Sequence, residues 1–396
     1  MSLLGWFVII GAAFALAWVA ISHRRLMRAL ARTVPGLSQP TAYPSVTVIR
    51  PIRGLDVGAR ENLEALLSLD YPGELEIFCV LDSEADPAYP LVRELIARRS
   101  AKHHAAVLIA GPPPPGRTGK LNAMLLGAGR ARGKLLAFND SDTRPQPKLL
   151  RHLVEALSSN SRAGATFAPI VAVCDKPRLG DVGYGLLVNA WYSPSVALVA
   201  GERGELPFIM GQFMVLRREA LDAIGGLACA EGQLVDDMYI GKRVAEAGWD
   251  NVMIGEPLPV AIGGLGFFQF LRTFRRWILF SEGGLPSSFT RFNWSRGVAA
   301  WVGWIALATG LASGQLAPTL LAALTIVAFA ASQLGLQRRL GGPSVPIASL
   351  WMAPAMPILA ALVALSARLW RKVDWRGRSY NLDRGARLGS GSAARS

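Results

Sequence analysis

Leu135-Leu136-Ala137-Phe138-Asn139-Asp140-Ser141-Asp142 is the stretch on which the fold reading turns. Its first four residues are short, apolar and uninterrupted, the pattern of a strand buried on both faces. Its last four place two carboxylates one residue apart at that strand's carboxyl end. Working outward, strand-length apolar runs at 46–50, 75–81, 105–110 and 165–173 alternate with helix-patterned segments at 60–69, 90–99, 120–131 and 147–157. Such alternation predicts an α/β fold with a mostly parallel, Rossmann-like doubly wound sheet. Ligands of such sheets sit at the strands' carboxyl ends. Asp82, which closes the run 75–81, and Asp140 both fall on that edge.

The chain carries 42 Lys+Arg against 28 Asp+Glu, a net charge of +14, and 51% of its residues are hydrophobic. The apolar excess lies at the two ends. Residues 3–21 are long enough to cross a bilayer and are followed at once by His23, Arg24, Arg25, Arg28 and Arg32. No basic region precedes them, so residues 1–22 read as an uncleaved signal anchor with the N-terminus outside. The arginines cluster beside apolar segments, which fits anionic headgroups. No zinc-finger spacing or aromatic-basic RNA motif is present, so nucleic acid is not expected as a partner. Cys79, Cys174 and Cys229 are too few and too scattered for a disulfide framework. Residues 34–45 are a Pro/Gly/Ser linker by composition.

Further strand and helix patterns follow at 208–216, 218–224 and 235–247. From 267 to 280, aromatic and aliphatic residues recur at i, i+3, i+4 and i+7 with Arg272, Arg275 and Arg276 interleaved, the composition of a helix lying in the membrane interface. Residues 297–367 are almost wholly apolar, in segments near 297–313, 317–336 and 347–367. One anchor plus three crossings would put 371–378 outside, against the positive-inside rule. Pro354 and Pro357 interrupt the last segment, so it or a neighbour is expected to be re-entrant or interfacial and the basic tail, 368–396, cytoplasmic.

Four acids and three further residues carry the expected chemistry. Asp140 and Asp142 form an Asp-x-Asp suited to holding Mg²⁺ or Mn²⁺ against a diphosphate, with Asp142 the direct ligand. Asp82 has two open readings, a partner for a base or ribose hydroxyl and a turn aspartate. Asp237, at a helix start, is positioned to act as a general base on an acceptor hydroxyl, while Asp236 complements the helix dipole. Direct attack by that hydroxyl would invert the anomeric configuration. Lys120 and Arg276 are candidate cations for a diphosphate, and Trp277 would shape the acceptor site. The Gly119-Lys120 pair is not a P-loop, because Pro114 and Leu121 replace required residues.

Taken in order, these motifs resemble the ceramide glucosyltransferase family of inverting, family 2-like membrane glycosyltransferases, with its bacterial hopanoid-glycosylating relatives. Arg50-Pro51-Ile52-Arg53-Gly54 is similar to the family's Lys-Pro-x-x-Gly, and Gly119-Lys120-Leu121-Asn122 to its Lys-x-Asn. Asp82, Asp140 and Asp237 match its three aspartates, Arg276-Trp277 its final Arg-Trp, and 374–380 its C-terminal segment. Thr273 replaces the family's Gln/Arg, with Arg272 adjacent, and 186–200 lacks the histidine of animal members. The resemblance implies a GT-A fold over 45–265, an interfacial helix at 266–282 and membrane segments at 297–367. It implies donor contacts from Pro51, Gly54, Asp82, Lys120 and Asp140, and catalysis by Asp237, Arg276 and Trp277. It also implies an integral membrane enzyme with a cytoplasmic catalytic domain, in a bacterial inner membrane or on the cytosolic face of an internal one. Its substrates would be a UDP-sugar, UDP-glucose first, and a ceramide-like lipid, with a hopanoid or UDP-GlcNAc as alternatives. A polysaccharide synthase would need more crossing helices. A non-catalytic scaffold or transporter subunit would leave the ordered acids without a purpose.

Overall fold

The computed structural model describes residues 3–31, 40–99, 103–203 and 206–389. Residues 34–39 of the expected linker, 1–2 of the anchor and 390–396 of the tail lie outside the described residues.

The central sheet has seven strands in the order β3-β2-β1-β4-β7-β5-β8. They are β1 (Val46–Ile52), β2 (Leu75–Leu81), β3 (His104–Ile109), β4 (Leu135–Asn139), β5 (Ala163–Phe167), β7 (Phe213–Arg217) and β8 (Asp250–Met253). β1, β2, β3 and β4 are mutually parallel, as are β5 and β8, while β7 runs antiparallel between β4 and β5. The registers Val46↔Leu75 and Val46↔Leu135 start three strands level, so their carboxyl ends reach one edge together. β1, β2 and β4 are buried almost throughout, as the unbroken apolar runs required. Helices α2 (Ala59–Leu67), α3 (Tyr89–Arg99), α4 (Gly119–Arg130) and α5 (Leu149–Ser159) link the parallel strands.

Two strand expectations need correction. The run 165–173 is not one strand: it divides at Ala168-Pro169 into β5 and β6 (Ile170–Val173), and β6 pairs with β9 (Leu258–Ala261) in a separate two-stranded sheet. Proline has no N–H to continue a ladder. Of 208–216, only the end is strand; residues 208–212 are a loop that feeds the site.

Beyond β6 come α6 (Leu179–Leu186), a π-helical turn (Leu187–Tyr192) and α7 (Ser193–Arg203). Pro194 follows the π turn and lacks an N–H for the α-helical ladder. After β7 the chain forms α8 (Arg218–Ala223), α9 (Asp236–Glu246) and α10 (Phe267–Ser281), all three where helices were expected.

Three described helical segments are long and apolar enough to cross a membrane: Leu3–Ala31, which is α1, Leu316–Arg339, which is α12, and Ile347–Leu369, most of it α13 (Met352–Leu369). The segment expected near 297–313 is the second half of a longer helix, α11 (Ser287–Ala312), which is not one of these three. α1, α11 and α12 pack as a bundle. α1 and α12 run in the same direction: Thr325 Oγ1 donates to the Ala12 carbonyl at 3.2 Å, and His23 and Ser332 share a hydrogen bond at 3.0 Å. α11 runs against both, with Gly303 beside Ile326 and Gly310 beside Thr319. α13 instead lies along α10. Phe267 meets Trp351, and further on Leu271 and Arg275 share a groove with Leu359 and Ser366.

The tail is not an open basic segment. It folds into a hairpin of β10 (Lys372–Trp375) and β11 (Arg378–Asn381). The two loop residues, Arg376 and Gly377, both have positive φ, 51° and 73°. That matches the tight turn favoured by strand twist, but such turns normally take Asn, Asp or Gly first. The hairpin and the residues after it dock on the α/β domain, with the Leu234 N–H donating to the Ala386 carbonyl at 3.1 Å.

Candidate functional site

A cavity of about 170 Å³ opens at the carboxyl edge of β1, β2 and β4, roofed by α10 and the C-terminal hairpin. Its wall contains Pro51, Asp82, Lys120, Asp140, Asp142, Asp237, Arg276 and Trp277. Of the residues expected from sequence, only Gly54 is absent from that wall. Its N–H donates to the Asp86 carboxylate, and its φ of 70° turns the chain away from β1.

The Asp140-Ser141-Asp142 turn is held from below by Arg50, a residue whose role the sequence did not reveal. Arg50 is 1% exposed on β1. Its Nε donates to Asn139 Oδ1 at 2.9 Å, its Nη1 to the Asn62 carbonyl at 2.9 Å, and its Nη2 to the Thr143 carbonyl at 3.2 Å. Burial pulls its pKa down to about 10, so it stays charged at neutral pH. Asn139 Nδ2 donates to Thr143 Oγ1, and the Asp140 N–H to the Gln212 carbonyl, at 2.8 and 2.9 Å. The turn is thus fixed by buried side chains on both flanks.

Lys120 opens α4, whose start is capped by Thr118. Its Nζ lies 2.7 Å from Asp140 and 4.0 Å from Asp236. Burial opposes its charge, but Asp140, Asp236 and Asp237 outweigh that and raise its pKa. It is therefore not a solvated lysine: it lines the cavity and sits among acids. Asp236 and Asp237 begin α9. Asp237 Oδ2 accepts from the Gly211 N–H at 2.6 Å and Oδ1 from the Met238 N–H at 2.9 Å. Burial raises the Asp237 pKa, with Lys120 opposing. Asp236 is pushed up to about 6, by burial first and then by Asp237 and Asp140, with Lys120 opposing. One Asp236 oxygen is buried without a hydrogen-bond partner. Asp236 was expected only to complement the helix dipole, yet it also lines the cavity.

Asp82 pairs with Arg53 at 2.7 Å and with Arg378 at 3.0 Å. The turn role open to it belongs instead to Asp86, which accepts from the Ala88 N–H. Arg376 pairs with Asp56, whose other oxygen accepts from Ser141. The hairpin thereby brings two arginines to the acid edge from some 300 positions away. The only local signal was the Arg376-Gly377 pair between two strand-patterned runs.

Arg276 lies over Phe280, 5.9 Å from the ring centroid, with its Nε buried and without a partner. Trp277 packs edge-on against Tyr192 at 4.7 Å between centroids and against Tyr184 at 6.2 Å. Arg272 faces α13, away from this cavity, so it does not stand in for the missing Gln/Arg at Thr273.

The metal question turns on Asp140 and Asp142. No group of three His, Cys, Asp or Glu able to hold an ion occurs among the described residues. Asp142 keeps one buried carboxylate oxygen with no partner, and burial, then Asp140 and Asp56, push its pKa up to about 6. An unsatisfied acceptor of this kind needs a proton or a cation. Two carboxylates fit an ion that completes its shell with water and substrate phosphate.

The model of the family described as Glycosyl transferase family 21 matches residues 7–388. Ceramide glucosyltransferase 3 of Caenorhabditis elegans is 23% identical over 254 residues, which is 63% of this chain and 53% of the relative. Beta-monoglucosyldiacylglycerol synthase of Synechocystis is 23% identical over 282 residues, 70% and 56% respectively. The chain thus spans about half the length of these relatives. Among solved structures, a mannosyltransferase from Pyrobaculum calidifontis, in complex with GDP-Man and Mn²⁺, superposes with a TM-score of 0.56. It is 21% identical, with 92% of this chain and 99% of that one covered, and shares the GT-A fold.

Proposed function

The chain belongs to glycosyl transferase family 21, the ceramide glucosyltransferase family, and on that premise we propose that it transfers glucose from UDP-glucose to a lipid hydroxyl with inversion. The observation that supports this most is the single cavity lined by Asp82, Lys120, Asp140, Asp142, Asp237, Arg276 and Trp277. Ceramide is the first acceptor to test. The diacylglycerol in the name of the Synechocystis relative is the second, and a hopanoid or a UDP-GlcNAc donor is an alternative.

Asp237 is the base. Two backbone N–H groups fix its carboxylate, each oxygen keeps a further lone pair, and the residue lines the cavity. It takes the proton from the acceptor hydroxyl as that oxygen forms its bond to the anomeric carbon. The bond from that carbon to the diphosphate oxygen breaks on the opposite face, and UDP leaves with the electron pair. Arg276, with a free Nε, and Arg376 supply positive charge to the leaving diphosphate. Asp82, flanked by Arg53 and Arg378, meets the nucleoside. Lys120 holds Asp140 in place and limits repulsion among Asp140, Asp236 and Asp237. Asp140 and Asp142 would hold Mg²⁺ or Mn²⁺, which neutralises diphosphate charge when bound.

In the membrane, α1 would cross with the N-terminus outside; α11, placed by its packing against α1 and α12 and not by its own hydropathy, would form a returning hairpin with α12, and α13 would lie with α10 at the cytoplasmic face. This arrangement brings the chain back to the catalytic side, where the β10–β11 hairpin docks, and removes the conflict over the tail. It gives the tail the cytoplasmic side that its arginines favour.

The test is incubation of the purified chain in nanodiscs with several nucleotide sugars and a total lipid extract, followed by mass spectrometry. Asp237→Asn should lower kcat by about 10²–10⁴-fold. An unaltered glycolipid profile from that variant would favour the scaffold reading.

A further inference from the structure

A second cavity, of about 160 Å³, lies against the first. Its walls come from α10, α11, α13 and the π-helical turn. Apart from Ser281, Thr290, Asn293 and the Tyr192 hydroxyl at the neck, the residues lining it are aliphatic or aromatic. The first three come from the last turn of α10 and the first half of α11. Trp301 and Pro357, deeper along α11 and α13, make the far end wholly apolar. Small residues line the space, Gly297 on α11 and Ala360 and Ala364 on α13, and a Cβ added at Gly297 would meet only Trp191, at 3.9 Å.

Two residues belong to both cavities. Tyr192 and Trp277 line the charged pocket and the apolar groove alike. Their edge-on contact at 4.7 Å forms a neck between them. The π turn matters here, because its extra residue places Trp191 and Tyr192 on successive walls of the groove.

The geometry points to this groove as the seat of a hydrocarbon chain of the acceptor lipid, with the polar head passing the Tyr192–Trp277 neck toward Asp237. The assignment rests on the lipid-transferase reading above and adds to it where the lipid enters. Three observations select this occupant. The groove is continuous with the charged cavity, so a chain seated in it carries its own head group to the base. One wall is a helix apolar enough to lie in a membrane. The polar side chains lie toward the catalytic end and the far end has none, the gradient of an amphiphile. A lipid held this way keeps its tail out of water while its hydroxyl is desolvated beside Asp237.

The experiment uses the full chain in nanodiscs with ceramide, or in a second arm diacylglycerol, carrying a diazirine in mid-chain. Photolysis is followed by peptide mass spectrometry. The expected result is labelling around Trp301, Ala360 and Ala364 that excess unlabelled lipid of the same class suppresses. Labelling confined to the outer faces of α1 and α12, or groove labelling that excess acceptor leaves unchanged, would overturn the assignment. The second of these results would mark a structural lipid or a partner helix instead. As a second measurement, Ala360→Trp fills the groove. It should raise KM at least tenfold more for a long-chain acceptor than for its six-carbon analogue; an equal effect on both would also overturn it. Failure of the wild-type chain to glycosylate any lipid would sink the transferase reading instead, and the competition pattern would still report on the groove.

Discussion

Gly211→Ala is the sharpest test of Asp237 as the base, because it perturbs the carboxylate without touching its charge. The Gly211 N–H donates to Asp237 Oδ2 at 2.6 Å. A Cβ built on Gly211 would lie 2.5 Å from both Asp237 Cβ and Oδ2, whereas ordinary contact begins at 3.4 Å. Asp237 is 8% exposed and anchored in the first turn of α9, so little slack is available. The carboxylate must shift by about 0.9 Å, and a displacement of that order costs about 10²-fold in rate. Expressed as a barrier, that is about 2.7 kcal/mol. The assay is transfer from radiolabelled UDP-glucose to lipid in nanodiscs, with thermal midpoints to verify folding. If the side chain yields, kcat falls while KM for the donor stays near wild type. If the loop yields instead, Gln212 moves as well, and its carbonyl holds the Asp140 N–H and Asn139 Nδ2. Donor KM then rises together with the fall in kcat. A kcat within about threefold of wild type would refute the geometry assigned to the base, since an error of that size is below 1 kcal/mol.

The other predictions concern the cavity's electrostatics. The folded pKa of Asp142 and of Asp236, about 6 each, lies above the ordinary 3.8. The folded chain therefore binds more protons than the unfolded one across that window, and its stability falls as pH rises through it. Mn²⁺ should raise the thermal midpoint more at pH 7.5 than at pH 5, its affinity dropping about tenfold per pH unit below 6 as protons compete; equal stabilisation at both values would count against Asp142 as ligand. Arg50→Met should cost about 1–3 kcal/mol for each buried acceptor it leaves unpaired, Asn139 Oδ1 foremost; a melting curve that overlays wild type would contradict the supporting role. Arg376→Gln should raise KM for UDP-sugar about tenfold, a loss of the size of one charged hydrogen bond. An unchanged KM would remove the tail from the donor site.

The strands and their acids were legible because each is a local signal: an apolar run followed by Asp82 or by Asp140-Ser141-Asp142. What sits opposite those acids was not. Arg50 looks like any strand arginine until α2 and β4 bury it. Asp236 and Asp237 look alike in sequence, and only the approach of Gly211 separates the carboxylate held by that loop from its neighbour. Hydropathy gave α13 the same weight as α12, since it measures apolarity and not what a helix packs against. Contacts with α10 along the length of α13 distinguish them. The division of 165–173 was signalled by Pro169, and the apolar run alone was too blunt to use it.

The hairpin's place in the chain also bears on how the protein is made. Arg376 and Arg378 are synthesised after α11 and α12 and are the partners of Asp56 and Asp82, which emerge far earlier. Domains fold as they leave the ribosome, N-terminal parts first. The parallel sheet can therefore form while the donor edge is still missing its cationic roof. On the proposed reading, competence for the nucleotide would then arrive only after α11 and α12 have been made. A nascent chain stalled before Lys372 should be membrane-bound yet retained poorly on immobilised UDP, and firm retention would show that the edge matures without its roof.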